Sequence, residues 1–502
     1  MHIGDLMAES GVGFGTSGAR GLADRMTDWV CYAYTLGFLS YLEQISEWSP
    51  GSEVGIGGDL RPSTPRIMTA CARAVRDKGG QPIDLGFIPS PAVAAYGFGR
   101  SIPTLMVTGS HIPDDRNGIK FNLPNGEILK HDEEGIRAQT IARPEGLFDA
   151  AGFFVADQSD ALPERRPEAL KLYIERYLDF FPRDCLKGLR VGVYEHSSVA
   201  REPYVAVLSR LGAKVTRLGC SEVFVPVDTE AVRPEDQALA REWAASGRFD
   251  ALVSADGDGD RPLIADEHGQ WLRGDVAGVL CARRLGIKAL ATPVSSNTVV
   301  ERCGAFERVL RTRIGSPFVI EGMQRLMDAG LESVAGYEAN GGFLLATDLC
   351  RTEGPQLEGR FLPNLPTRDA LVVVVTILLD AVERGQPVSA LAADLPPRFT
   401  HSDRIKDFPT ELSRVRLAAL NTGKREADKA AIEAEFGDAF GPVATLDDTD
   451  GLRITFESGE ILHLRPSGNA PELRAYAEAD SPERAEAMTR MALETLATWR
   501  NG

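Results

Sequence analysis

Asp256, Asp258 and Asp260 alternate with glycine in the stretch SADGDGDRP, residues 254–262. Three carboxylates so close together repel one another unless a cation neutralises them. A ligand set made only of oxygen suits Mg2+ or Mn2+. Gly257 and Gly259 let the backbone fold tightly enough for every second side chain to converge. Arg261 follows at once, a donor for phosphate oxygens. A solvated acidic turn is the alternative; the position just past an apolar, β-branched run favours the metal.

A second stretch, VTGSHIPDDRNGIKF (107–121), sets Ser110 and His111 in a tight loop, with Lys120 beyond them. The strand–Ser–helix elbow of serine hydrolases is absent. His111 is a candidate activator, although neighbouring side chains in an extended loop point apart. Beside a metal cluster, Ser110 reads instead as a carrier of a phosphoryl group whose charge the metal neutralises during transfer.

Two further loops suit the same chemistry. RPSGNAPELR (465–474) places Arg465 and Arg474 around a turn holding Ser467, Gly468 and Asn469. Its amides and side chains can ring a phosphate, or form an ordinary hairpin turn with surface arginines. GYEANGGF (336–343) offers Glu338 and Asn340. A carboxylate and an amide match vicinal sugar hydroxyls, and alone the stretch equally reads as a plain turn.

Short strand patterns alternating with helical ones must position these loops. VGIGGD, TLMVTG, RVGVYE, KVTRLG, ALVSAD, KALATPVSS, RVLRTRIG and ESVAGYE read as strands. STPRIMTACARAVRDKG, ALKLYIERYLDFF and residues 369–384 read as helices, and Ser63 or Thr64 caps the first. Such alternation predicts mostly parallel sheets, with ligands beyond the C-terminal strand ends. GIKFNLPNGEIL predicts a hairpin around Asn125-Gly126. GLRITF, EILHLRPS and ELRAYAEA, followed by a helix from Ser481, predict an antiparallel sheet with helices on one face. The expected architecture is α/β, with three α/β domains with mixed sheets, 1–165, 166–270 and 271–395, and an α+β domain, 396–502.

The totals agree with a chain of several domains: 502 residues, 43% hydrophobic, with 55 Lys and Arg against 72 Asp and Glu, a formal net charge of −17. An acidic surface repels nucleic acid and anionic membranes, so neither is expected as a partner. An anionic small substrate then needs a locally basic cleft. Seven scattered cysteines without a CxxC pair predict a reducing compartment and no disulfide framework. The first residues lack the pattern of a signal peptide, and ALVVVVTILL (370–379) is too short to span a bilayer. A cytoplasmic protein is expected.

Taken in order, FGTSGARG (14–21), TGSHIPDDRNGIKF, DGDGDR, GYEANGG and RPSGNAPELR resemble the α-D-phosphohexomutase superfamily from end to end. PTRDA (366–370) and RPSGNAPELR look most like its phosphomannomutase branch. The resemblance implies four domains around a central cleft, contributing phosphoserine, metal, sugar and phosphate loops. It implies reversible transfer of a phosphoryl group between C6 and C1 of mannose phosphate, through phospho-Ser110 and a hexose 1,6-bisphosphate that also serves as activator. Mg2+ would be held by Asp256, Asp258, Asp260 and an oxygen of phospho-Ser110. Arg20, Lys120 and Arg261 would lie near the transferring group, with Lys120 aimed at Ser110 as an acid–base whose pKa neighbouring cations lower. Arg465, Ser467, Asn469 and Arg474 would grip the other phosphate, which calls for closure of the last domain about a hinge near residue 396.

The partners expected are hexose phosphates, and the protein is expected to be a monomer or homodimer. Phosphoglucomutase, dual-specificity and phosphoacetylglucosamine mutase activities are the alternatives within the family; a metal-dependent sugar phosphatase is the alternative outside it. Three departures stand out. Gly341 and Gly342 occupy the stretch where many members have a histidine, Asn469-Ala470-Pro471 stands where many read TEP, and Ile112 stands where many have asparagine.

Overall fold

The computed structural model describes residues 1–15, 18–156, 161–350, 359–467 and 471–500. Four sheets of four or more strands carry the molecule among the described residues. The first spans residues 13–127. Its parallel centre is Glu53–Gly58 between Gln81–Phe87 and Thr104–Val107, and its other edge is built by Arg116–Leu123, Ala19–Leu22 and Gly13–Phe14. The second runs Pro262–Ala265, Ala251–Ala255, Arg190–His196, Lys214–Cys220. The third runs Arg308–Thr312, Ala289–Pro293, Val334–Tyr337, Phe343–Leu345, Leu365–Asp369. The fourth, residues 399–479, is antiparallel throughout, as its close-spaced strands predict.

The sheets of the three α/β domains are mixed, as expected, although alternation alone suggests mostly parallel pairing, and the reason is local. Thr104–Val107, Ala251–Ala255 and Val334–Tyr337 are each followed by an antiparallel return strand: Arg116–Leu123, Pro262–Ala265 and Phe343–Leu345. The connections, 108–115, 256–261 and 338–342, are too short for a parallel crossover, which needs about a dozen residues. Each chemically interesting loop is therefore a hairpin at the C-terminal end of a strand. The fourth obeys the same rule, because Ile461–Pro466 pairs antiparallel with Leu473–Ala479 across residues 467–472. Arg116–Leu123 also turns back through Pro124 and Asn125 onto Gly126–Glu127, the expected hairpin.

Helix Thr64–Asp77 begins where expected, with Pro65 in its first turn, but Ser63 makes no capping hydrogen bond. Helix Ala370–Arg384 holds the apolar run and is buried through Ala381. Among the described residues, no helix is long and apolar enough to cross a membrane. One continuous core runs from Ile83 through Tyr173, Val253, Leu280 and Val373 to Leu395, cementing the first three sheets together. The fourth has its own core, including Phe408, Ile454, Leu473 and Leu496. Polar contacts join it to the third: Asn297 Nδ2 donates to the Arg398 carbonyl at 2.7 Å, Thr298 N–H to Glu478 Oε2 at 3.1 Å, and Ile314 N–H to Asp450 Oδ2 at 2.9 Å.

Two core histidines make stability depend on pH. His196 Nε2 lies 2.8 Å from the Ala255 carbonyl and His463 Nε2 lies 2.6 Å from that of Asp450, so each Nε2 carries the proton and donates. Neither Nδ1 has a partner, and a second proton there would be a buried, orphaned donor. Burial accordingly pushes both imidazoles down to about 4. The unfolded chain, with histidine near 6.5, binds more protons than the folded one between these values, so stability falls as pH drops from about 6.5 to about 4. The expected slope is ~1.4 kcal/mol per pH unit for each histidine. His463→Gln should lose less melting temperature between pH 7 and pH 5 than the wild type; an equal loss would remove His463 from the account.

Candidate active site

Ser110 is buried in its loop, 1% exposed, with its backbone in the left-handed region at φ 58°. That conformation explains why Ser110 and His111 do not point apart as in extended chain. The loop is built around Arg61. Asp59, at the end of strand Glu53–Gly58, accepts from Arg61 Nη1 at 2.5 Å and from Thr64 and Thr108 Oγ1 at 2.7 Å each. Arg61 then donates to the carbonyls of Ser110 (3.1 Å), Ile112 and Arg116 (3.0 Å), so residues 110–116 wrap round a buried guanidinium. Gly109 must lack a side chain, because a Cβ there would lie 2.7 Å from the guanidinium. The Arg61 guanidinium also lies 4.0 Å from the centre of the Phe224 ring, contributed by the second unit.

The Ser110 hydroxyl donates to Asp256 Oδ2 at 2.6 Å, joining the serine loop to the carboxylate loop. Asp256, Asp258 and Asp260 are buried and bring one carboxylate oxygen each to within 4.8 Å of one another. The loop's own amides, of Asp260 and Arg261, donate to Asp256 Oδ1. Ser90, at the start of helix Ser90–Arg100, donates its hydroxyl to Asp258 Oδ2 at 2.5 Å and its N–H to the Asp258 carbonyl at 2.9 Å. Asp258 Oδ1 and Asp260 Oδ1 are buried without a hydrogen-bond partner. Buried carboxylate oxygens without a hydrogen bond are costly, and this all-oxygen set fits a hard divalent cation. Burial and the two neighbouring carboxylates push the Asp256 carboxyl well above the usual range.

Lys120 stands elsewhere than the sequence suggests. Its Nζ donates to Asp258 Oδ2 and Asp260 Oδ2, both at 2.6 Å, and reaches Ser90 Oγ at 3.3 Å. Burial works to lower its pKa, but Asp258 and Asp260 outweigh burial and raise it above the ordinary lysine value. His111 Nδ1 lies 2.8 Å from Arg261 Nη1 and 3.4 Å from Ser110 Oγ. Arginine can only donate, so Nδ1 accepts from Arg261 and is poorly placed to take the serine proton. Burial, with Arg261 and Arg20 nearby, pushes the His111 imidazole well below its usual value.

Arg20 is brought to this centre by pairing of Ala19–Leu22 with Arg116–Leu123, which sets Arg20 opposite Gly118. Its backbone pairs with Gly13 and Gly118, and among the described residues its guanidinium has no hydrogen-bond or ion-pair partner. Burial, then repulsion from Arg261, lowers its pKa to about 10. An unpaired guanidinium among other cations is what an incoming phosphoryl dianion requires.

The third loop is tight. Gly341 has φ 87°, and Gly342 N–H donates to Asn340 Oδ1 at 2.9 Å. Asn340 therefore has its NH2 left to offer a ligand. Glu338 Oε2 accepts from Arg368 Nη1 at 3.0 Å, while Arg368 Nε donates to Asp260 Oδ2 at 3.0 Å. The Arg368 stem packs on Gly342, within the stretch where the resemblance leads one to expect a histidine. In the fourth loop, Gly468 and Asn469 lie outside the described residues. Ser467 is buried, Arg465 Nε donates to Asp450 Oδ1 at 2.9 Å, and Arg474 Nη2 lies 3.4 Å from Glu472 Oε2. Burial and Asp228 raise the Glu230 pKa, whereas Arg273, Arg261 and Arg474 oppose the shift.

Asp59, Arg61, Ser90 and Arg368 were not singled out as site residues from the sequence. For Asp59 and Arg61 a signal existed, a charged pair at the C-terminal end of a predicted strand in GGDLRPST. Ser90 and Arg368 have none beyond PTRDA, because tertiary contacts alone bring them in.

Models of the phosphoglucomutase/phosphomannomutase family match the chain in four parts: alpha/beta/alpha domain I at 11–145, domain II at 171–269, domain III at 273–399, and the C-terminal domain at 412–494. A phosphomannomutase of Sinorhizobium fredii (strain NBRC 101917 / NGR234) is 43% identical over 96% of this chain and 98% of its own. A phosphomannomutase of Salmonella muenchen is 42% identical over 95% of this chain and 94% of its own. The fold is that of a phosphoglucomutase/phosphomannomutase family protein from Burkholderia thailandensis, at a TM-score of 0.71 and 19% identity over 97% of this chain and 98% of that one. With four domain models in sequence order and 43% identity across nearly the full length of a relative, this chain belongs to the phosphoglucomutase/phosphomannomutase family.

Proposed function

We propose that the protein is a phosphomannomutase, moving a phosphoryl group reversibly between C6 and C1 of mannose phosphate through phospho-Ser110 and a hexose 1,6-bisphosphate. The observation that carries this reading is the hydrogen bond from the Ser110 hydroxyl to Asp256, in a buried cluster of carboxylates and cations. The phosphomannomutases of Sinorhizobium fredii and Salmonella muenchen, 43% and 42% identical, support the sugar. A divalent cation, for which we assign Mg2+, would be held by Asp256, Asp258, Asp260 and an oxygen on Ser110, and supplies charge neutralisation to the transferring group.

In the forward step a sugar hydroxyl attacks the phosphorus on Ser110. The P–Oγ bond breaks as the new P–O bond forms, and the hydroxyl proton passes to an acceptor in the cleft. Arg20 and Arg261 compensate the charge of the phosphoryl oxygens. Glu338 and Asn340 hold sugar hydroxyls, and Arg465, Ser467, Gly468, Asn469 and Arg474 hold the phosphate that is not reacting. After the bisphosphate turns over in the cleft, its other phosphoryl group returns to Ser110 Oγ, which Asp256 orients. A proton-transfer role for Lys120 requires its Nζ to leave Asp258 and Asp260.

A phosphatase would pass the phosphoryl group of Ser110 to water; loops that close over a bound sugar and exclude water disfavour that outcome. The domains assigned are 1–165, 166–270, 271–395 and 396–502, and the cytoplasm suits the chain's seven unpaired cysteines. With matching bisphosphate activators, kcat/KM should be highest for mannose 1-phosphate. Glucose 1-phosphate, differing only at C2, should follow within about 100-fold, and N-acetylglucosamine 1-phosphate should be poorer, its amide lacking partners. Preference for N-acetylglucosamine 1-phosphate would overturn the sugar, and stoichiometric release of free phosphate would overturn the mutase.

A further inference from the structure

Arg368 is 3% exposed, on strand Leu365–Asp369, and lies between two loops that come from different sheets. Its Nε and Nη2 both approach Asp260 Oδ2 at 3.0 Å, and its Nη1 donates to Glu338 Oε2 at 3.0 Å. The guanidinium thus takes one oxygen of each carboxylate. Asp260 keeps Oδ1, which is buried and accepts no hydrogen bond, with Arg261 Nε 3.7 Å away. Thr367 and Asp369 fix the strand on either side, Thr367 by donating to Glu127 Oε1 at 2.5 Å and Asp369 by accepting from Tyr173 at 2.8 Å. Room for the arginine stem exists only because residue 342 is glycine: a Cβ there would lie 2.5 Å from Arg368 Cδ.

We infer that Arg368 is a positioning residue that couples the cation-binding carboxylates to the sugar loop. This inference rests on the mutase reading of Glu338 and of the aspartates. One rigid, planar fork serves both carboxylates, so a cation that takes over the charge of Asp260 strengthens the hold of the fork on Glu338. The loop that receives the sugar is thereby ordered when the carboxylate loop is loaded. Lysine cannot substitute, because a single ammonium lacks the forked geometry that spans two carboxylates.

The test is hydrogen exchange at the amides of residues 338–342, with and without saturating Mn2+, followed by kinetics with mannose 1-phosphate. Wild type should exchange about fivefold more slowly there with Mn2+, and Arg368→Gln should show no such change. Arg368→Gln should also raise KM by about fivefold or more, with a smaller loss in kcat, and Arg368→Lys should not restore it. Gly342→Ala, which keeps the guanidinium but forces it aside, should reproduce both effects and decides the matter if Arg368→Gln does not fold. An Mn2+ response that survives in Gly342→Ala or Arg368→Gln, or that is missing from the wild type, overturns the coupling. A wild type that responds to Mn2+ yet turns over no hexose phosphate overturns the mutase reading and leaves the coupling intact.

Discussion

Ser110→Ala is expected to lose turnover of mannose 1-phosphate by ~10^4-fold or more, the scale seen when a covalent carrier is removed. The change deletes one oxygen, and that oxygen would carry the phosphoryl group through both halves of the reaction. What the mutation leaves in place matters as much. The loop is held by Asp59, Arg61 and Thr108, none of which bonds to the Ser110 side chain. Ser110 is held through its backbone, its N–H donating to Thr108 Oγ1 at 2.7 Å and its carbonyl accepting from Arg61. The fold should therefore persist even though the residue is buried, and the left-handed φ of 58° costs alanine little more than it costs serine. A folded Ser110→Ala variant that retains more than a few per cent of wild-type kcat would exclude the serine as carrier.

Asp256→Asn is expected to separate stability from activity in opposite directions. The substitution nearly preserves shape and removes one ionisable carboxyl from three crowded carboxylates, whose burial and mutual repulsion raise the Asp256 pKa. In chelator, the variant should melt no lower than wild type. With Mg2+ the order should reverse: the stabilisation that a cation brings to the folded state falls with affinity, here by about tenfold or more. Turnover should fall with it, since the amide is a poorer ligand and presents a weaker acceptor to Ser110 Oγ. Calorimetry showing unchanged Mg2+ affinity in Asp256→Asn would remove the residue from the cation site.

Much of this centre can be read along the chain because its parts are local. Alternating aspartate and glycine after a strand leaves little for 256–260 to do except converge, and the structure brings those carboxylates together. The partners of these residues cannot be read so easily, because partnership is set by packing between sheets. Lys120 lies 138 residues from Asp258 and 140 from Asp260, and the family resemblance aimed it at Ser110 instead. Arg368, 108 residues from Asp260, sits in a strand whose sequence gives no sign that one of its side chains bridges two loops. The sheets teach a similar lesson. Alternation of helix and strand suggested parallel pairing, whereas the length of the connections decides it, and in the first three sheets the loops that carry chemistry are the short ones that force a return.

The account depends most on where a phosphoryl group resides between half-reactions. The direct measurement is to incubate the protein with glucose 1,6-bisphosphate and Mg2+, quench, digest, and locate covalent phosphate by mass spectrometry. One phosphoryl group on Ser110, lost again on adding excess mannose 6-phosphate, is the result this account predicts. Phosphate on any other residue, or an unmodified Ser110 in enzyme that is turning over, would contradict it.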